Sequence, residues 1–551
     1  MRILAAAAAI LFVLPGCTVQ APEPRVSPAA AGVVASAHPH ATAAGIAILE
    51  AGGNAFDAAV AVAAALNVVE PAMSGIGGYG TIMTYHAASG RVRFLNTSGR
   101  IPAGVDSDAY RAPTPGYAEN RRGAKAVSTP ANLRGWEALS KEYGSRPWAE
   151  LFQSAIALAR DGFVLSEDDA WIIEDSFGAF PPHARAIFGR GDAPLKKGER
   201  LTQADLARTL TTIAQSGAAA LYEGEIAARI DAAMRTSGGF LALSDLKNAQ
   251  AEWYDPIRIR YRGVEVVTAP PPANTFDFLV RLGIMSTRDV RALGHNSIDY
   301  LHTFAEASKH GFWVRLRHAG DPEVAPPPLD RLLSDAYWRE QAASIDPAKA
   351  SPFEPPRIDA AGDHTTHFVV ADASGNIVSA TQTLGNGFGS RIMVEGTGVW
   401  LNNSLAYSTF EPKGNPMDAH AGRHKLSGDC PTILLRDGKP WIALGTPGGH
   451  TIGQTVPQII MNIVDFGMTL PEALAAPRIA FSQPDEILVD RTLPANTRDG
   501  LTRRGHKLRE VFGIGNATAL AISYGPDGKP LRFEGAADPR GGGNARVAAK
   551  R

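Results

Sequence analysis

Two short apolar runs with a turn between them form the clearest pattern in the chain. Residues 368–371 are Phe-Val-Val-Ala, residues 377–383 alternate apolar with hydroxyl or amide side chains, and Ser-Gly-Asn lies between them at 374–376. Runs of this kind bounded by turn residues predict a β-hairpin. Thr365 and Thr366, between two histidines, stand immediately before the first strand. They are either ordinary strand-edge residues or a rigidly supported nucleophile, and the pattern alone leaves both interpretations open.

Apolar periodicity predicts further elements on both sides of this hairpin. Spacings of three and four residues predict helices at 41–51, 55–66, 131–162, 201–237, from 276 onwards, 297–317, 329–343 and from 450 through 466. Alternation predicts strands at 81–85, 91–96, 257–267 and 399–401, and a second hairpin from 432–436 and 440–444. The helix at 55–66 is almost uniformly apolar, so we expect it to be buried. Alanine is frequent in the helices, which suits close packing on a sheet.

A glycine-rich segment at 74–80 separates the buried helix from the strand at 81–85. Glycines at 75, 77 and 80 have the spacing of a dinucleotide-binding loop. That motif follows a strand and opens a helix, whereas this one follows a helix and leads into a strand. We therefore expect a tight loop in which one stretch of backbone approaches another.

Length, charge and cysteine content exclude several classes of protein. The chain has 551 residues, enough for two to four ordinary domains or one large enzyme body, and 45% of them are hydrophobic. The formal net charge of −1 gives no basic footprint for nucleic acid and no polybasic membrane patch. The only cysteines, Cys17 and Cys430, exclude a disulfide framework and a cysteine-based zinc site. We expect Cys430 to be a small buried apolar residue.

The first residues have the pattern of an export signal. A positive start at Arg2 precedes an apolar run at 3–14, which is too short to cross a bilayer, and Leu-Pro-Gly-Cys follows at 14–17. This ending resembles the bacterial lipoprotein signal, in which the cysteine becomes the lipid-modified N-terminus, and ordinary signal cleavage is the alternative. We expect a signal at 1–17 and a Pro- and Ala-rich tether at 18–31, with the protein at the periplasmic face of a bacterial membrane or soluble in the periplasm.

Three other places could carry chemistry. Arg100 could anchor a carboxylate or be a solvated loop residue. The polar region 411–425 brings Asp418, His420 and His424 close in sequence, as either a metal site or part of a mobile loop. Residues 445–449 place two glycines before a helix, which suits an oxyanion site or a plain helix-entry turn.

Several blocks in a fixed order make the chain resemble a known family. They are 51–59 (Ala-Gly-Gly-Asn-Ala-Phe-Asp-Ala-Ala), 70–78, 159–162 (Ala-Arg-Asp-Gly), 365–368 (Thr-Thr-His-Phe), 381–384 (Thr-Gln-Thr-Leu), 401–403 (Leu-Asn-Asn), 431–433 (Pro-Thr-Ile), 446–449 (Thr-Pro-Gly-Gly) and 535–540 (Gly-Ala-Ala-Asp-Pro-Arg). Through them the chain resembles the γ-glutamyltransferases, a family of N-terminal-nucleophile hydrolases, over nearly everything after residue 32. The resemblance implies a mixed α/β fold, the four-layer αββα sandwich.

The resemblance also implies self-cleavage between His364 and Thr365. The products would be a large chain, 32–364, and a small catalytic chain, 365–551, held together as a heterodimer. Thr365 would then be the nucleophile, and its new α-amine, which titrates near ~8, would be its base. Thr383 would support it by hydrogen bonding, and Gly448 and Gly449 would form the oxyanion hole. The resemblance implies neither a metal nor an organic cofactor.

Departures from the family pattern concern the substrate rather than the chemistry. The position of the family's carboxylate-binding arginine is Ser98, with Arg100 two residues later as a candidate substitute. The residues that hold the donor's α-amine correspond to Ser404 and Tyr407, and a Ser-Ser pair becomes Ser427-Gly428. The residues expected to contact substrate are Ser98, Arg100, Asn403, Ser404, Tyr407 and Ser427.

Two enzymatic hypotheses follow, with a third from another class. The first is hydrolysis or transfer of γ-glutamyl amides such as glutathione through an acyl-enzyme on Thr365. The second is an amidohydrolase or acylase of the same family, acting on a glutaryl-like or other small acyl group. The third is a lipid-anchored binding protein that never matures, which would run as one uncut band on a denaturing gel.

Overall fold

The structure is a computed structural model that describes residues 30–111, 118–355 and 364–550. The predicted signal with Cys17, and residues 18–29 of the predicted tether, lie outside the described residues. The first strand begins at Ala30, so the last two residues of the predicted tether belong to the folded body. Within the described ranges, no helix is both long enough and apolar enough to span a bilayer.

The strands are β1 (Ala30–Ser36), β2 (Tyr79–His86), β3 (Arg91–Asn96), β4 (Phe163–Val164), β5 (Gly189–Arg190), β6 (Ala193–Pro194), β7 (Arg200–Leu201), β8 (Glu252–Tyr254), β9 (Ile257–Tyr261), β10 (Val264–Thr268), β11 (His364–Asp372), β12 (Ile377–Gly385), β13 (Met393–Val394), β14 (Val399–Trp400), β15 (Thr432–Arg436), β16 (Lys439–Gly445), β17 (Ile479–Ser482), β18 (Glu486–Asp490), β19 (Leu508–Val511), β20 (Thr518–Tyr524), β21 (Pro530–Ala537) and β22 (Asn544–Ala549). The helices are α1 (Pro39–Glu50), α2 (Ala55–Val69), α3 (Ala118–Arg121), α4 (Asn132–Tyr143), α5 (Gln153–Asp161), α6 (Glu167–Phe177), α7 (Pro182–Phe188), α8 (Ala204–Ser216), α9 (Ala219–Tyr222), α10 (Glu225–Thr236), α11 (Leu243–Lys247), α12 (Phe276–Ser286), α13 (Val290–Leu293), α14 (Ile298–His318), α15 (Leu329–Leu332), α16 (Asp335–Ala343), α17 (Ile452–Val464), α18 (Leu470–Ala475) and α19 (Ala495–Arg503).

Two large sheets form the centre of the fold. One has seven strands in the order β22-β1-β11-β12-β2-β3-β8, and the other has six in the order β21-β20-β16-β15-β10-β9. Neighbouring strands in the seven-stranded sheet are antiparallel, and β1 pairs with both β11 and β22. The first and last strands of the described chain therefore lie side by side next to the predicted hairpin.

Three buried apolar clusters divide the molecule into layers. One packs helices, including the wholly buried α2, against the face of the seven-stranded sheet that carries Val370. A second packs α12, α14 and α17 against the face of the six-stranded sheet that carries Leu444. The third lies between the sheets and includes Val369 and Ile433. The chain is thus a four-layer αββα sandwich, which confirms the expected fold class.

Most predicted elements form, but four long ones are divided, among them 201–237, which contains α8, α9 and α10. Strand β3 has the predicted bounds, and β11 and β12 make the predicted hairpin. The segment 131–162 contains two helices, and 257–267 is a hairpin that turns at Arg262, whose φ is 48°. The helix predicted at 329–343 is interrupted before Ser334, whose side chain caps α16. A cap or a turn interrupts a helix or strand without disturbing its apolar periodicity, so the pattern did not show these breaks.

Candidate functional site

The layer between the sheets changes from apolar to polar along β11. Val369 and Ala371 belong to the apolar cluster between the sheets. Because side chains alternate along a strand, His367 points into the same layer, closer to the start of β11. Thr365 also enters this layer, since its hydroxyl contacts Thr383 on β12. The polar end of the layer is therefore the place where the predicted nucleophile lies.

The hydroxyl of Thr383 links the two residues at the predicted cleavage point. Oγ1 of Thr365 donates to Oγ1 of Thr383 at 3.2 Å, and Thr383 in turn donates to the carbonyl oxygen of His364 at 2.6 Å. The backbone N–H of Gly385 donates to Oγ1 of Thr383 at 2.8 Å, which fixes that hydroxyl. Thr365 is only 4% exposed and Thr383 is wholly buried. One hydroxyl thus contacts both the Thr365 side chain and the peptide bond that precedes it.

A local irregularity in strand pairing creates this arrangement. His364 lies opposite Gly385 and Thr366 lies opposite Gln382. Between these pairs β11 contributes one residue, Thr365, while β12 contributes two, including Thr383. Bulges of this kind redirect side chains next to the unpaired position. This bulge sets the two threonine hydroxyls face to face.

The side chain of Thr366 lies on the opposite face of the sheet. Its Oγ1 donates at 2.7 Å to Oε2 of Glu70, the residue that follows α2. Burial raises the pKa of Glu70 to about 7, although the hydrogen bond from Thr366 opposes that shift. The second threonine of the pair therefore ties the strand to the helix layer.

His367 is buried in the layer between the sheets as a neutral side chain. Its Nδ1 lies 2.7 Å from Oγ1 of Thr381, and its Nε2 lies 3.3 Å from Oγ of Ser379. Burial lowers the pKa of His367 to about 3. A Cβ at Gly445 would lie 2.2 Å from the imidazole ring, so the end of β16 packs directly on it. The imidazole of His367, two residues after Thr365, is therefore structural and uncharged.

The predicted glycine pair lies just beyond this contact. Gly448 and Gly449 connect β16 to α17, with φ values of 129° and 56°. Because Gly445 touches His367, the turn leaves the six-stranded sheet at the polar end of the layer. The turn is built as the sequence predicted, and its role as an oxyanion hole remains a prediction.

The glycine-rich segment brings β2 close to β12. A Cβ at Gly78 would lie 2.3 Å from the carbonyl oxygen of Thr383, and one at Gly80 would lie 2.4 Å from that of Thr381. The expectation of a tight loop with close backbone approach is therefore confirmed. Tyr79, between these glycines, is the residue of β2 that pairs with Thr383.

Three of the predicted substrate contacts are buried and already hydrogen-bonded. The hydroxyl of Ser98 donates to a backbone carbonyl of β2 at 3.3 Å. Oδ1 of Asn403 accepts from the backbone N–H of Asn386 at 2.8 Å. The hydroxyl of Ser404 is hydrogen-bonded to that of Ser128. These side chains shape the wall beside Thr383, and a substrate contact by any of them remains a prediction.

Arg100 lies in an ion-pair cluster. Its Nη2 donates to Glu252 at 2.8 Å and lies 3.0 Å from Nε2 of His424. His424 also contacts Glu252 at 2.7 Å and Asp321 at 3.1 Å. Burial lowers the pKa of His424, but hydrogen bonds to Asp321 and Glu252 outweigh it and raise the pKa to about 9. Protein carboxylates hold Arg100 in this structure, and a contact of Arg100 with a substrate carboxylate remains a prediction.

The metal site considered for the 411–425 region does not form. Asp418 is paired with Arg111, and Nε2 of His420 lies 3.0 Å from the backbone oxygen of Asn415. His424 belongs instead to the cluster with Arg100. Each of the three side chains has its own partner, so they share no ligand geometry, and the region is held by ion pairs to distant parts of the chain.

Two charged residues that the sequence did not single out lie beside Tyr407 and Ser427. Nζ of Lys425 is 4.4 Å from the centre of the Tyr407 ring, and Ser427 donates to Oδ2 of Asp429 at 3.3 Å. Lys425 and Asp429 are each 1% exposed. Their sequence signal is faint: two opposite charges four residues apart, directly before the apolar strand β15.

Comparison with known proteins gives the same family throughout the chain. A family model described as gamma-glutamyltranspeptidase matches residues 41–548. A glutathione hydrolase proenzyme from Pseudomonas sp. (strain A14) is 35% identical over 549 residues, covering 92% of each chain. An acylase ACY 1 proenzyme from Pseudomonas sp. (strain SE83) is 36% identical over 511 residues, covering 90% of each. The crystal structure of cephalosporin acylase from Bacillus halodurans matches with a TM-score of 0.86 and 29% identity, covering 97% of this chain and 99% of that one.

Proposed function

Because the chain belongs to the gamma-glutamyltranspeptidase family, we propose that it cuts itself between His364 and Thr365. We further propose that Thr365, as the new N-terminus, hydrolyses an amide bond in a small acyl donor. The observation that carries this proposal is the position of Thr383, whose hydroxyl contacts both Oγ1 of Thr365 and the carbonyl oxygen of His364.

Self-cleavage uses that arrangement directly. Oγ1 of Thr365 attacks the carbonyl carbon of His364, a C–O bond forms, and the C–N bond between the two residues breaks. The Thr365 nitrogen takes up the proton that Oγ1 loses. Water then hydrolyses the ester, which leaves a carboxylate on His364 and a free α-amine on Thr365. The Thr383 hydroxyl donates to the oxygen on which negative charge develops, where one such donor contributes about 3 kcal/mol.

The same residues then serve amide hydrolysis. The α-amine of Thr365, with an ordinary pKa near ~8, is partly neutral at pH 7 and can take the proton from Oγ1. His367 is too weak a base for this task, because burial lowers its pKa to about 3. The backbone N–H groups of Gly448 and Gly449 are assigned to the oxyanion of the acyl-transfer step.

Two acyl groups are candidates. Similarity to relatives named glutathione hydrolase supports γ-glutamyl amides such as glutathione. Similarity to acylases supports another small acyl group, such as glutaryl. The site favours the second group, because Tyr407 replaces the expected amine-binding carboxylate and lies against the cation Lys425. A cation close by disfavours a substrate ammonium.

The proposed function is tested on the mature protein. Mass spectrometry should find a small chain that begins at Thr365, and a small chain with any other first residue would refute the assigned nucleophile. The mature enzyme should then be assayed with γ-glutamyl and glutaryl p-nitroanilides side by side. Faster turnover of the glutaryl compound is expected, and faster turnover of the γ-glutamyl compound would restore the first candidate.

We also propose, from the N-terminal sequence, export with a lipid on Cys17. The Cys17→Ser variant should then move from the membrane fraction to the soluble fraction of the cell envelope. An unchanged membrane association of this variant would remove the lipid anchor from the proposal.

A further inference from the structure

The two peptide units that carry the N–H groups of Gly448 and Gly449 are each bound by a threonine hydroxyl. In a trans peptide the carbonyl and the N–H lie in one plane and point in opposite directions. The N–H of Gly448 shares its peptide unit with the carbonyl of Pro447, and the N–H of Gly449 shares its unit with the carbonyl of Gly448. A side chain that fixes either carbonyl therefore also fixes the direction of the N–H across the plane.

Thr446 fixes the first of these peptide units. Its Oγ1 donates to the carbonyl oxygen of Pro447 at 2.9 Å and accepts from the backbone N–H of Asn516 at 3.0 Å. Thr446 is wholly buried and directly follows Gly445, which pairs with Thr518 at the start of β20. The hydroxyl is therefore held by the neighbouring strand of the six-stranded sheet, and the Pro447 carbonyl is held by the hydroxyl.

Thr451 fixes the second peptide unit. Its Oγ1 and its backbone N–H both donate to the carbonyl oxygen of Gly448, at 2.8 Å and 3.0 Å. A Cβ at Gly448 would lie 2.5 Å from Oγ1 of Thr451, and the φ of Gly448 is 129°. Only glycine suits this position, because a side chain would both strain the backbone and displace the threonine hydroxyl.

The N–H groups on the other side of these units have no use inside the protein. Across residues 30–111, 118–355 and 364–550, neither the Gly448 N–H nor the Gly449 N–H donates a hydrogen bond. Gly449 is buried, and buried backbone donors are nearly always paired. A hydrogen bond accepted by a carbonyl also polarises its peptide unit, which strengthens the N–H as a donor. Both N–H groups are thus fixed, strengthened and available to an anion.

We propose that Thr446 and Thr451 are positioning residues: their hydroxyls orient the Gly448 and Gly449 N–H groups toward the oxygen that becomes negative during amide hydrolysis. This inference rests on the proposed function, since it concerns the step in which Thr365 attacks the substrate amide. Neither threonine needs to touch the substrate. Self-cleavage is the internal reference, because there the Thr383 hydroxyl donates to the developing charge.

The first experiment replaces each hydroxyl by a methyl group. Thr446→Val and Thr451→Val should each lower kcat for the faster of the two p-nitroanilides by about 10-fold, with KM within about 3-fold of wild type. The loss is smaller than the about 10²-fold or more that follows removal of a whole oxyanion donor, because the N–H group stays and only its direction is released. Thr446→Ser and Thr451→Ser keep the hydroxyl and should recover kcat to within about 3-fold. Self-cleavage should keep its wild-type rate within about 2-fold in all four variants.

A matched control is Thr455→Val on α17. Thr455 is wholly buried, and its hydroxyl has no hydrogen-bond partner in the described part of the chain. A Cβ at Gly515 would lie 2.6 Å from Oγ1 of Thr446 and 3.1 Å from Oγ1 of Thr455, so both hydroxyls border the same segment. The control should keep kcat within about 2-fold. An equal loss of kcat in Thr455→Val, or an unchanged kcat in both Thr446→Val and Thr451→Val, would overturn the inference.

The second experiment combines Thr446→Val with Thr451→Val. The double variant should lose about 10²-fold in kcat and still divide into two chains at the wild-type rate. Self-cleavage that slows as much as anilide hydrolysis would show that the hydroxyls support the fold of the whole site, and the inference would fail. Normal turnover in both the wild-type enzyme and the double variant would refute the inference alone. A wild-type protein that divides before Thr365 but hydrolyses neither anilide would refute the proposed hydrolysis and the inference with it.

Discussion

The two neighbouring threonines at the start of β11 have the same side chain and opposite surroundings. Thr365 faces the layer between the sheets, where its hydroxyl meets Thr383 next to the carbonyl of His364. Thr366 faces the helix layer and donates to Glu70 at 2.7 Å. The comparison teaches that the face of the strand, and not the type of residue, separates a candidate nucleophile from a packing contact.

The electrostatics of the two faces differ as well. Around Thr365 the close partners are a hydroxyl and backbone groups, and the nearby His367 stays neutral because burial lowers its pKa to about 3. On the other face Thr366 donates to an acid that titrates near neutrality, since burial raises the pKa of Glu70 to about 7. A change of pH in the neutral range therefore acts directly on the partner of Thr366.

The largest expected effect separates the two threonines. Thr365→Ala should abolish self-cleavage and lower amide turnover by more than about 10³-fold, because the attacking oxygen is removed. Thr366→Ala, the matched control, should still divide into two chains and keep turnover within about 10-fold. Denaturing gels and an anilide assay measure both. Two chains from Thr365→Ala would place the nucleophile elsewhere.

The next effect concerns the hydroxyl that links the site. Thr383→Val keeps the shape of the side chain but removes the donor to the His364 carbonyl, so self-cleavage should slow by about 10²-fold or more. The control is Thr381→Val, which alters a hydroxyl on the same face that contacts His367 instead. Denaturing gels taken at intervals after synthesis measure the rate at which each variant is converted into two chains. Equal rates of self-cleavage in the two variants would contradict the role assigned to the Thr383 hydroxyl.

A smaller effect tests the other face through pH. Burial raises the pKa of Glu70 from an ordinary 4.5 to about 7, so the folded chain binds this proton more tightly than the unfolded chain does. Stability from this group is therefore full below pH 4.5 and falls as pH rises through 7, by up to about 3 kcal/mol. In Glu70→Gln the fall should vanish. The measurement is the thermal midpoint at pH 5 and at pH 7.5 of two uncut proteins, Thr365→Ala and Thr365→Ala with Glu70→Gln. The midpoint should be lower at pH 7.5 in the first protein and the same at both pH values in the second.

The smallest effect lies away from both threonines, in the ion-pair cluster around His424. Its pKa is raised from 6.5 to about 9 by hydrogen bonds to Asp321 and Glu252, which outweigh burial. The stability it contributes is full below pH 6.5 and is lost as pH rises through 9. Since Glu323 in the cluster is 44% exposed, solvent screening limits the loss to about 1–2 kcal/mol. His424→Asn should flatten this dependence between pH 7 and pH 9.5, and the same slope in wild type and variant would contradict the assignment.

Local sequence pattern was sufficient for much of the fold around the nucleophile. The hairpin of β11 and β12 follows from alternation and a turn, and the tight approach at Gly78 and Gly80 follows from the order of elements. The pairing of β1 with β22 could not be predicted this way. It joins Val34 to Arg546 across almost the whole chain, and no local signal encodes such a partner.

The recognition side of the site was harder for a related reason. The polar composition of region 411–425 favours a mobile, exposed loop. The structure buries His424 and Lys425 instead, because acidic and aromatic partners from distant segments surround them. Charge in a sequence predicts exposure unless a partner is known, and these partners are supplied only by the tertiary fold. For the same reason the sequence did not show that Glu252 and His424 contact Arg100.

The strand order of the seven-stranded sheet has a consequence for the lifetime of the mature protein. With a break after His364, β1 of one piece would lie between β11 and β22 of the other, and β12 would lie against β2. Strands of the two chains would alternate in one sheet. Dissociation of the chains would therefore require the hydrogen bonds between several strand pairs to break together. Once dissociated, the two chains would have to associate in a bimolecular step, because the peptide bond that joined them during the first folding would be gone. Durability would then depend on the height of the unfolding barrier and not on an equilibrium, so each molecule would fold only once.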